Sequence, residues 1–394
     1  MERKIYMDAI SSTYINNEVL QEMTPVLAET YANSTGFHSF AKQSKDLIDR
    51  AKRQIAKGIG SKSSEIYFTS SGTEANCWAI LGLARANKEK GNHIIVSKIE
   101  SESLLRACAQ LEKEGFRVSY IPVDSFGFIK LSHLMHEIKK DTILVSISVA
   151  NKEVGTIQNL NAIARTVKER DIIFHCDACH AIGNININVK DLNIDAMSMS
   201  SNKIYGPSGV GALYLKNGIN IDSLIYPSNQ DYSKRGGSQS VADIVGFGKA
   251  VDMACHDVTL NAQKLRHLRE YFTKKVMENI EDVHLVGHSF QRLSNVVALS
   301  FEFVDSEALA SLLDMEGIAV HPLNIALSEE LEHSHILTAM GLQKELRKTV
   351  VNFSILKNLT KDDLDYVVEK LVVAVKKLRE ISPLHISVVA KEDK

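Results

Sequence analysis

The sequence predicts an α/β protein with one large, mostly parallel sheet and a smaller α+β domain. Short runs of β-branched and aromatic residues alternate with longer amphipathic segments as far as Tyr214, which is the pattern of strands buried between two layers of helices. Longer helical segments follow, and the alternation stops. The chain has 394 residues, of which 44% are hydrophobic, so it can bury one large core and one smaller core.

The elements of the large domain follow one another in a regular order. A short strand at 5–7 precedes a helix at 18–31, a polar loop at 33–38 and a long amphipathic helix at 41–59. The strands predicted after it are 65–69, 93–97, 117–121, 142–148 and 172–177, and the helices between them are 77–86, 104–113, 131–139 and 161–168. The next stretch, 197–211, is rich in glycine and hydroxyl residues, and we predict a turn there.

The rest of the chain predicts helices with a few strands. The helices are 241–254, 260–280, 307–315 and 361–379, and the strands are 298–301 and 350–354. We assign residues 16–258 to the large domain, and residues 1–15 together with 259–394 to the small domain.

Charge and composition exclude several classes of function. The formal net charge of −2 gives no overall field for nucleic acid or an anionic membrane. No window holds the roughly 18 uncharged apolar residues of a membrane span, and the first residues have no signal-type apolar core. We therefore expect a cytoplasmic protein that acts on a small molecule, without nucleic-acid or membrane partners.

The cysteines predict reduced thiols, because there are five of them at irregular spacing. Cys176 and Cys179 form a C-x-x-C pattern around Asp177, at the end of a predicted strand. We interpret both as buried small residues, and a redox pair or half of a metal site is the alternative.

A candidate phosphate site follows the strand 65–69. Small and hydroxyl residues, Ser71, Gly72 and Thr73, connect this strand to the next helix. Free backbone N–H groups at a helix N-terminus bind phosphate well, and the glycine lets them converge. An ordinary capped turn between strand and helix is the alternative.

Asp177 and Lys203 are the candidate catalytic residues. A lysine amine can form a Schiff base with pyridoxal 5′-phosphate (PLP), and a carboxylate facing the pyridine nitrogen keeps that nitrogen protonated. The alternative is that Asp177 and Lys203 are ordinary surface residues of a strand–helix unit. The first interpretation gains support because the carboxyl ends of parallel strands share one edge of a sheet, and five polar residues follow such ends: Ser71, Thr73, Ser101, Asn151 and Asp177.

With these residues in place, the chain resembles the NifS/IscS-like cysteine desulfurases, which are class-V aminotransferase-type PLP enzymes of fold type I. The resemblance extends from Ile5 to about His385. The matching stretches are 68–74, 97–100, 141–147, 153–155, 175–178, 203–207, 209–214 and 382–384.

The resemblance implies an L-shaped homodimer with PLP attached to Lys203 and Asp177 on the pyridine nitrogen. It also implies a small amino-acid substrate and a sulfur-acceptor or iron–sulfur scaffold protein as a partner. The implied cofactor-binding residues are Gly72, Thr73, Lys152, Asp177, His180, Ser200, Asn202, Lys203 and, from the second subunit, Ser238. The implied substrate-binding positions are Asn33, Ser101 and Asn352.

Several functional positions depart from the family pattern. The loop cysteine that receives the sulfur corresponds to Ala326, counting back from Ser334, and a methyl group cannot accept sulfur. The histidine that stacks on the pyridine ring is Ser101, and the arginine that binds the substrate carboxylate is Asn352. Near the phenolic oxygen of PLP, Lys152 replaces an asparagine and His180 replaces a glutamine.

Three functions are compatible with this pattern. The first is a PLP enzyme with altered chemistry, such as β-elimination, transamination or racemisation, in which Lys203 handles the proton. The second is a non-catalytic dimeric partner in sulfur or iron–sulfur cluster assembly. The third is a cysteine desulfurase that uses another thiol, for which Cys179 is the candidate near the cofactor.

Overall fold

The computed structural model describes residues 3–227, 234–323, 334–383 and 385. In chain order, its strands are β1 (Ile5–Tyr6), β2 (Ile66–Thr69), β3 (His93–Ser97), β4 (Arg117–Ile121), β5 (Thr142–Ser148), β6 (Ile173–Asp177), β7 (Ala196–Ser200), β8 (Gly211–Leu215), β9 (Val283–Val286), β10 (Val296–Phe301), β11 (Ile318–Ala319), β12 (His321–Pro322) and β13 (Val350–Ser354).

The α-helices lie between and after these strands. They are α1 (Asn17–Glu29), α2 (Ser39–Ile59), α3 (Gly72–Ala86), α4 (Glu102–Lys113), α5 (Leu131–Glu137), α6 (Leu160–Lys168), α7 (Val241–His256), α8 (Val258–Asn279), α9 (Ser306–Met315), α10 (His335–Ala339), α11 (Lys344–Arg347) and α12 (Lys361–Glu380). No helix in the described part of the chain is both long and apolar enough to cross a membrane.

The large sheet has seven strands in the order β2-β8-β7-β6-β5-β3-β4. The five strands from β7 to β4 are parallel, and β8 runs antiparallel to both of its neighbours, β7 and β2. This confirms the α/β class and the large, mostly parallel sheet. The carboxyl ends of β5 and β6 therefore open on the same edge, where the polar residues were expected to meet.

Helices cover the sheet on both faces, because the strands are apolar on both sides. On one face, Phe174 of β6 belongs to a core with Ile55 of α2 and Phe247 of α7. On the other face, Leu144 of β5 belongs to a core with Trp78 of α3. Each of these five side chains is fully buried.

The C-terminal part forms a second core around a four-stranded antiparallel sheet, in the order β12-β13-β10-β9. The rings of Phe272 in α8 and Phe353 in β13 lie 5.1 Å apart in this core. The start of the chain joins it, since β1 pairs in parallel with β11 and both Ile5 and Met7 are buried there. The exact boundaries, 16–258 for one domain and 1–15 with 259–394 for the other, stay a prediction.

Two sequence expectations were wrong. The stretch 197–211 was predicted to be a turn, but its first four residues belong to the strand β7 (Ala196–Ser200), in which every residue is buried. Met and Ser alternate in this strand, and the small Ser198 hydroxyl lies 2.9 Å from the ring nitrogen Nε2 of His175 in the neighbouring strand. Helix α3 begins at Gly72 rather than at residue 77, so Gly72 and Thr73 belong to its first turn.

Candidate active site

The N-terminus of α3 is a tightly packed cradle of backbone N–H groups. Ser71 caps the helix, because its hydroxyl accepts a hydrogen bond of 3.1 Å from the Glu74 N–H. The N–H groups of Gly72 and Thr73 have no acceptor in the described part of the chain and are free to bind an anion. A Cβ atom on Gly72 would lie 2.5 Å from Sγ of Cys179, so no larger residue fits here without movement.

Asp177 ends β6 and is held from three sides. Its Oδ2 accepts hydrogen bonds from Nδ2 of Asn76 (2.8 Å) and from the Ser101 hydroxyl (3.2 Å), and its Oδ1 accepts one from the Cys179 N–H (2.9 Å). The carboxylate keeps lone pairs for one further donor, because its two oxygens offer about four acceptor positions. Asn76, which lies on α3, links the carboxylate to the cradle.

Lys203 lies just after β7, under the N-terminal segment. Its ammonium group donates hydrogen bonds to the carbonyl oxygens of Ile10 (2.9 Å) and Ser11. Burial, together with the positive charge of Lys152, lowers the pKa of Lys203 to about 8. The amine therefore loses its proton more readily than an ordinary lysine does.

A small pocket opens beside Asp177. It is lined by Ile99, Ser101, Ser148, Ala150, Asn151, Lys152, Asp177, His180 and Ile336. Burial and the positive charge of Lys203 lower the pKa of His180 to about 3, so its imidazole is neutral at physiological pH. Four sequence-predicted site residues thus meet in one place: Ser101, Lys152, Asp177 and His180.

The cofactor candidates beside Lys203 also lie together. The Ser200 hydroxyl donates a 2.8 Å hydrogen bond to Oδ1 of Asn202. A Cβ atom on Gly72 would lie 3.0 Å from Cβ of Ser200, which places Ser200 against the cradle. Ser238 is exposed, and its contact with a second subunit stays a prediction. Arg235, three residues earlier, forms a 2.9 Å ion pair with Glu74 of α3.

Two weaker candidates lie outside the pocket. Asn33 is exposed, and its Oδ1 accepts hydrogen bonds from the N–H and the hydroxyl of Thr35. Asn352 is fully buried, and its Nδ2 donates to the carbonyl oxygen of Glu153 at 2.6 Å while its Oδ1 accepts the Ser354 hydroxyl at 3.1 Å. Both polar atoms of the Asn352 carboxamide are therefore engaged by other groups of the chain, and the side chain is shielded from solvent. Ala326 lies outside the described residues.

Sequence reasoning missed Glu100 as a site residue. Its buried carboxyl group accepts hydrogen bonds from the Ser97 hydroxyl (2.6 Å) and from the N–H of Ser148 (2.9 Å). Burial raises the pKa of Glu100 to about 7, and the negative charge of Asp177 adds to this effect. The backbone carbonyl of Glu100 lies 2.9 Å from Nε2 of His335, which follows the 324–333 segment. The stretch 97–100 matches the family pattern, and this match was the signal in the sequence that could have identified Glu100.

All five cysteines are free thiols. Cys179 lies in the site, and its burial, together with the charge of Asp177, raises its pKa well above the usual thiol value. Cys176 is fully buried in β6. No group of three or more His, Cys, Asp or Glu residues in the described part of the chain could hold a metal ion, and a structural role for both cysteines stays our interpretation.

The arrangement fits PLP. Lys203 supplies an amine that loses its proton easily, and Asp177 supplies a fixed carboxylate with spare acceptor capacity. The cradle at Gly72 and Thr73 offers unpaired N–H groups to a phosphate, and the side-chain oxygen Oδ1 of Asn76 is buried without a partner in the described part of the chain. These groups come from β6, from the turn after β7 and from the start of α3, and the sheet edge brings them together.

Comparison with known proteins gives a consistent result. The family described as aminotransferase class-V matches residues 5–367. The cysteine desulfurase IscS of Dictyoglomus turgidum is 42% identical over 383 residues, which are 97% of each chain. The cysteine desulfurase IscS of Methanosarcina thermophila is 41% identical over 382 residues, which are 97% of this chain and 94% of that protein.

Solved structures agree with this similarity. A NifS-like protein superposes with a TM-score of 0.89 at 31% identity and covers 95% of this chain and 100% of its own. A NifS-like protein from Rickettsia africae superposes with a TM-score of 0.84 at 27% identity and covers 96% of this chain and 100% of its own.

Proposed function

The chain belongs to the class-V aminotransferase family, whose members depend on PLP, and from this premise we propose that it β-eliminates sulfur from a cysteine-like amino acid. The carbon skeleton leaves as pyruvate, the amino nitrogen leaves as ammonia, and the sulfur leaves as free sulfide. The net reaction consumes one water molecule, because water hydrolyses the released enamine, and it needs no oxidant or reductant.

The absence of a thiol that could accept sulfur supports this proposal most strongly. The position that carries the acceptor cysteine in the resembling family is Ala326. Cys179 is the one cysteine that contacts the cradle in the described residues, and it is 7% exposed with a raised pKa. A protonated, buried thiol at a strand end is a poor nucleophile and cannot carry sulfur to another protein.

The residues that would hold PLP are Lys203, Asp177 and the cradle. When bound, PLP withdraws electrons from the bonds of the substrate α-carbon. The Nζ atom of Lys203 takes the α-proton, since its lowered pKa leaves part of it unprotonated near neutral pH. The Asp177 carboxylate would keep the pyridine nitrogen of PLP protonated, and Asn76 and Ser101 hold this carboxylate in place.

His180 and the apolar residues of the pocket control the leaving group. The neutral imidazole of His180 offers one donor and one acceptor, so it can hydrogen-bond the departing sulfur without carrying a positive charge. Ile99 and Ile336 line the same pocket and exclude water from it. A pocket without water favours departure of the sulfur over hydrolysis of the bound substrate before the sulfur has left.

Product analysis with L-cysteine tests the proposal. The protein is incubated with PLP, L-cysteine and a reductant, and pyruvate, sulfide and alanine are quantified. We expect equal amounts of pyruvate and sulfide, no alanine, and at least a hundredfold loss of turnover in Lys203→Ala, because the proton acceptor is removed.

Two controls separate the competing outcomes. Ala326→Cys alone should not produce alanine, because Ser101 and Asn352 still differ from the family pattern. Alanine that forms in the wild type and disappears in Cys179→Ser would establish instead a cysteine desulfurase that uses this thiol. Alanine that persists in Cys179→Ser would show that a different thiol accepts the sulfur and would also reject β-elimination.

The departures at Ser101, Asn352 and Ala326 favour a second candidate function, a non-catalytic dimeric partner in sulfur or iron–sulfur cluster assembly. Loss of the ring-stacking histidine and of the arginine removes substrate contacts while the cofactor groups remain. Full PLP occupancy without turnover of any of the common amino acids, combined with a stable complex with a sulfur-acceptor protein, would favour this function over β-elimination.

A further inference from the structure

Lys152 brings a positive charge into the pocket, and no carboxylate in the described part of the chain forms an ion pair with it. Its side chain lines the pocket beside Ser101, Asp177 and His180. None of the hydrogen bonds or ion pairs among the described residues involves its ammonium group. Lys152 is a partly buried residue, and a partly buried charge without a partner is costly, so this pocket favours an anion from outside.

The turn that carries Lys152 is rigid. Oδ1 of Asn151 accepts hydrogen bonds from the N–H groups of Glu153 (3.0 Å) and Val154 (3.1 Å), and its Nδ2 donates to the carbonyl oxygen of Ile99 at 3.1 Å. From the other side, the buried Arg292 donates a 2.8 Å hydrogen bond to the carbonyl oxygen of Val154. Lys152 therefore extends into the pocket from a fixed backbone position.

The nearby carboxylates accept hydrogen bonds from groups other than Lys152. The carboxylate of Glu153 accepts the Ser334 hydroxyl at 2.6 Å, and that of Glu100 accepts Ser97 and Ser148. Asp177 is engaged by Asn76, Ser101 and the Cys179 N–H. The titratable groups that act on the pocket from the other elements are His180, which is neutral, and Lys203, which is cationic.

We propose that the ammonium group of Lys152 binds the carboxylate of the amino-acid substrate and makes the site selective for amino acids over simple amines. The inference rests on the proposed function, since it assumes an amino acid as substrate. Asn352, the other candidate for this contact, is fully buried with both polar atoms bonded. A charge-assisted contact of this kind changes affinity by roughly tenfold or more.

The test compares two probes that differ only in the carboxylate, L-alanine and ethylamine. Both bind through an amine, and neither carries a leaving group for β-elimination. Their dissociation constants are measured by calorimetry on the full-length, PLP-loaded protein, together with its PLP content. The variants are Lys152→Met, which keeps the length of the side chain, Lys152→Arg, which keeps its charge, and the control Lys98→Met, which removes an exposed lysine after β3.

We expect the wild type to bind L-alanine at least tenfold more tightly than ethylamine. Lys152→Met should weaken L-alanine binding about tenfold or more and leave ethylamine binding unchanged, whereas Lys152→Arg and Lys98→Met should keep the preference. The inference is overturned if the wild type binds the two probes equally or binds neither. It is also overturned if Lys152→Met affects the binding of both probes equally. Loss of PLP from Lys152→Met also overturns the inference, because the charge of Lys152 would then be needed to bind the cofactor.

The result is separable from that of the proposed function. A wild type that selects L-alanine but makes no pyruvate from L-cysteine rejects β-elimination and keeps the inference. A wild type that makes pyruvate but binds both probes equally rejects the inference alone.

Discussion

At the residue scale, the site depends on how far nearby charges and burial shift the pKa values of individual ionisable groups. Lys203 and His180 are both pushed towards their neutral forms, and Lys152 contributes to both effects. The spacing, together with the order of strands and helices, predicted Lys203 and Asp177 as the catalytic pair. They could not predict the neutral state of His180, because it depends on burial and on the distance to two lysines that are far away in sequence.

The titration of Lys203 tests this coupling. In PLP-free protein, modification of the Lys203 amine by an acylating reagent should be half-maximal near pH 8, because only the unprotonated amine reacts. Lys152→Met removes a positive charge that opposes protonation, so the midpoint should move to higher pH by a few tenths of a unit to one unit. Mass spectrometry of the labelled peptide measures both curves. A midpoint near 10.5 in the wild type, or a shift to lower pH in the variant, would contradict the arrangement.

At the element scale, the sequence predicted most helices and long strands to within about two residues. The two-residue strands β11 and β12 were not predicted, because so short a stretch carries too little pattern. The strand β7 was missed because alternating Met and Ser resemble a flexible turn in composition, and only its position between β6 and β8 makes it a strand. The start of α3 was placed too late because Gly72 and Thr73 are poor helix formers.

The contact between α3 and the turn after β6 gives a prediction at this scale. Gly72→Ala should lower the free energy of unfolding by about 1–3 kcal/mol and weaken PLP retention, because the new Cβ would lie 2.5 Å from Sγ of Cys179. The double variant Gly72→Ala/Cys179→Ala should recover most of this loss, since removing the sulfur makes room. Urea unfolding of the two single variants and the double variant measures the coupling. Strict additivity of the two changes would show that these residues do not constrain each other.

At the scale of the whole molecule, we predict a homodimer in which Ser238 completes the partner's phosphate site. The segment that carries Ser238 is anchored by the ion pair between Arg235 and Glu74, and Ser238 itself is exposed. The position of Ser238 at the partner's phosphate was predicted from the family resemblance alone, because composition and periodicity within one chain carry no information on contacts between subunits.

Mixed dimers test this arrangement. Dimers formed from Lys203→Ala and Ser238→Ala subunits contain one PLP-binding lysine, and it is paired with an intact Ser238 from the other subunit. They should retain PLP at that site better, by a few fold in dissociation rate, than Ser238→Ala homodimers do, because one hydrogen bond to the phosphate is kept. A protein that elutes as a monomer with full PLP occupancy, or equal PLP loss from both dimers, would show that Ser238 acts within its own subunit or not at all.

The fate of the substrate sulfur tests the central claim most directly. Protein loaded with PLP is mixed with L-[³⁵S]cysteine without reductant, and the labelled products are separated by gel filtration under non-reducing conditions. Without an acceptor thiol in the loop, the protein fraction should carry no label above background, and sulfide in the small-molecule fraction should equal the pyruvate formed. Close to one reducible ³⁵S per subunit on the protein, with alanine as the co-product, would contradict the account.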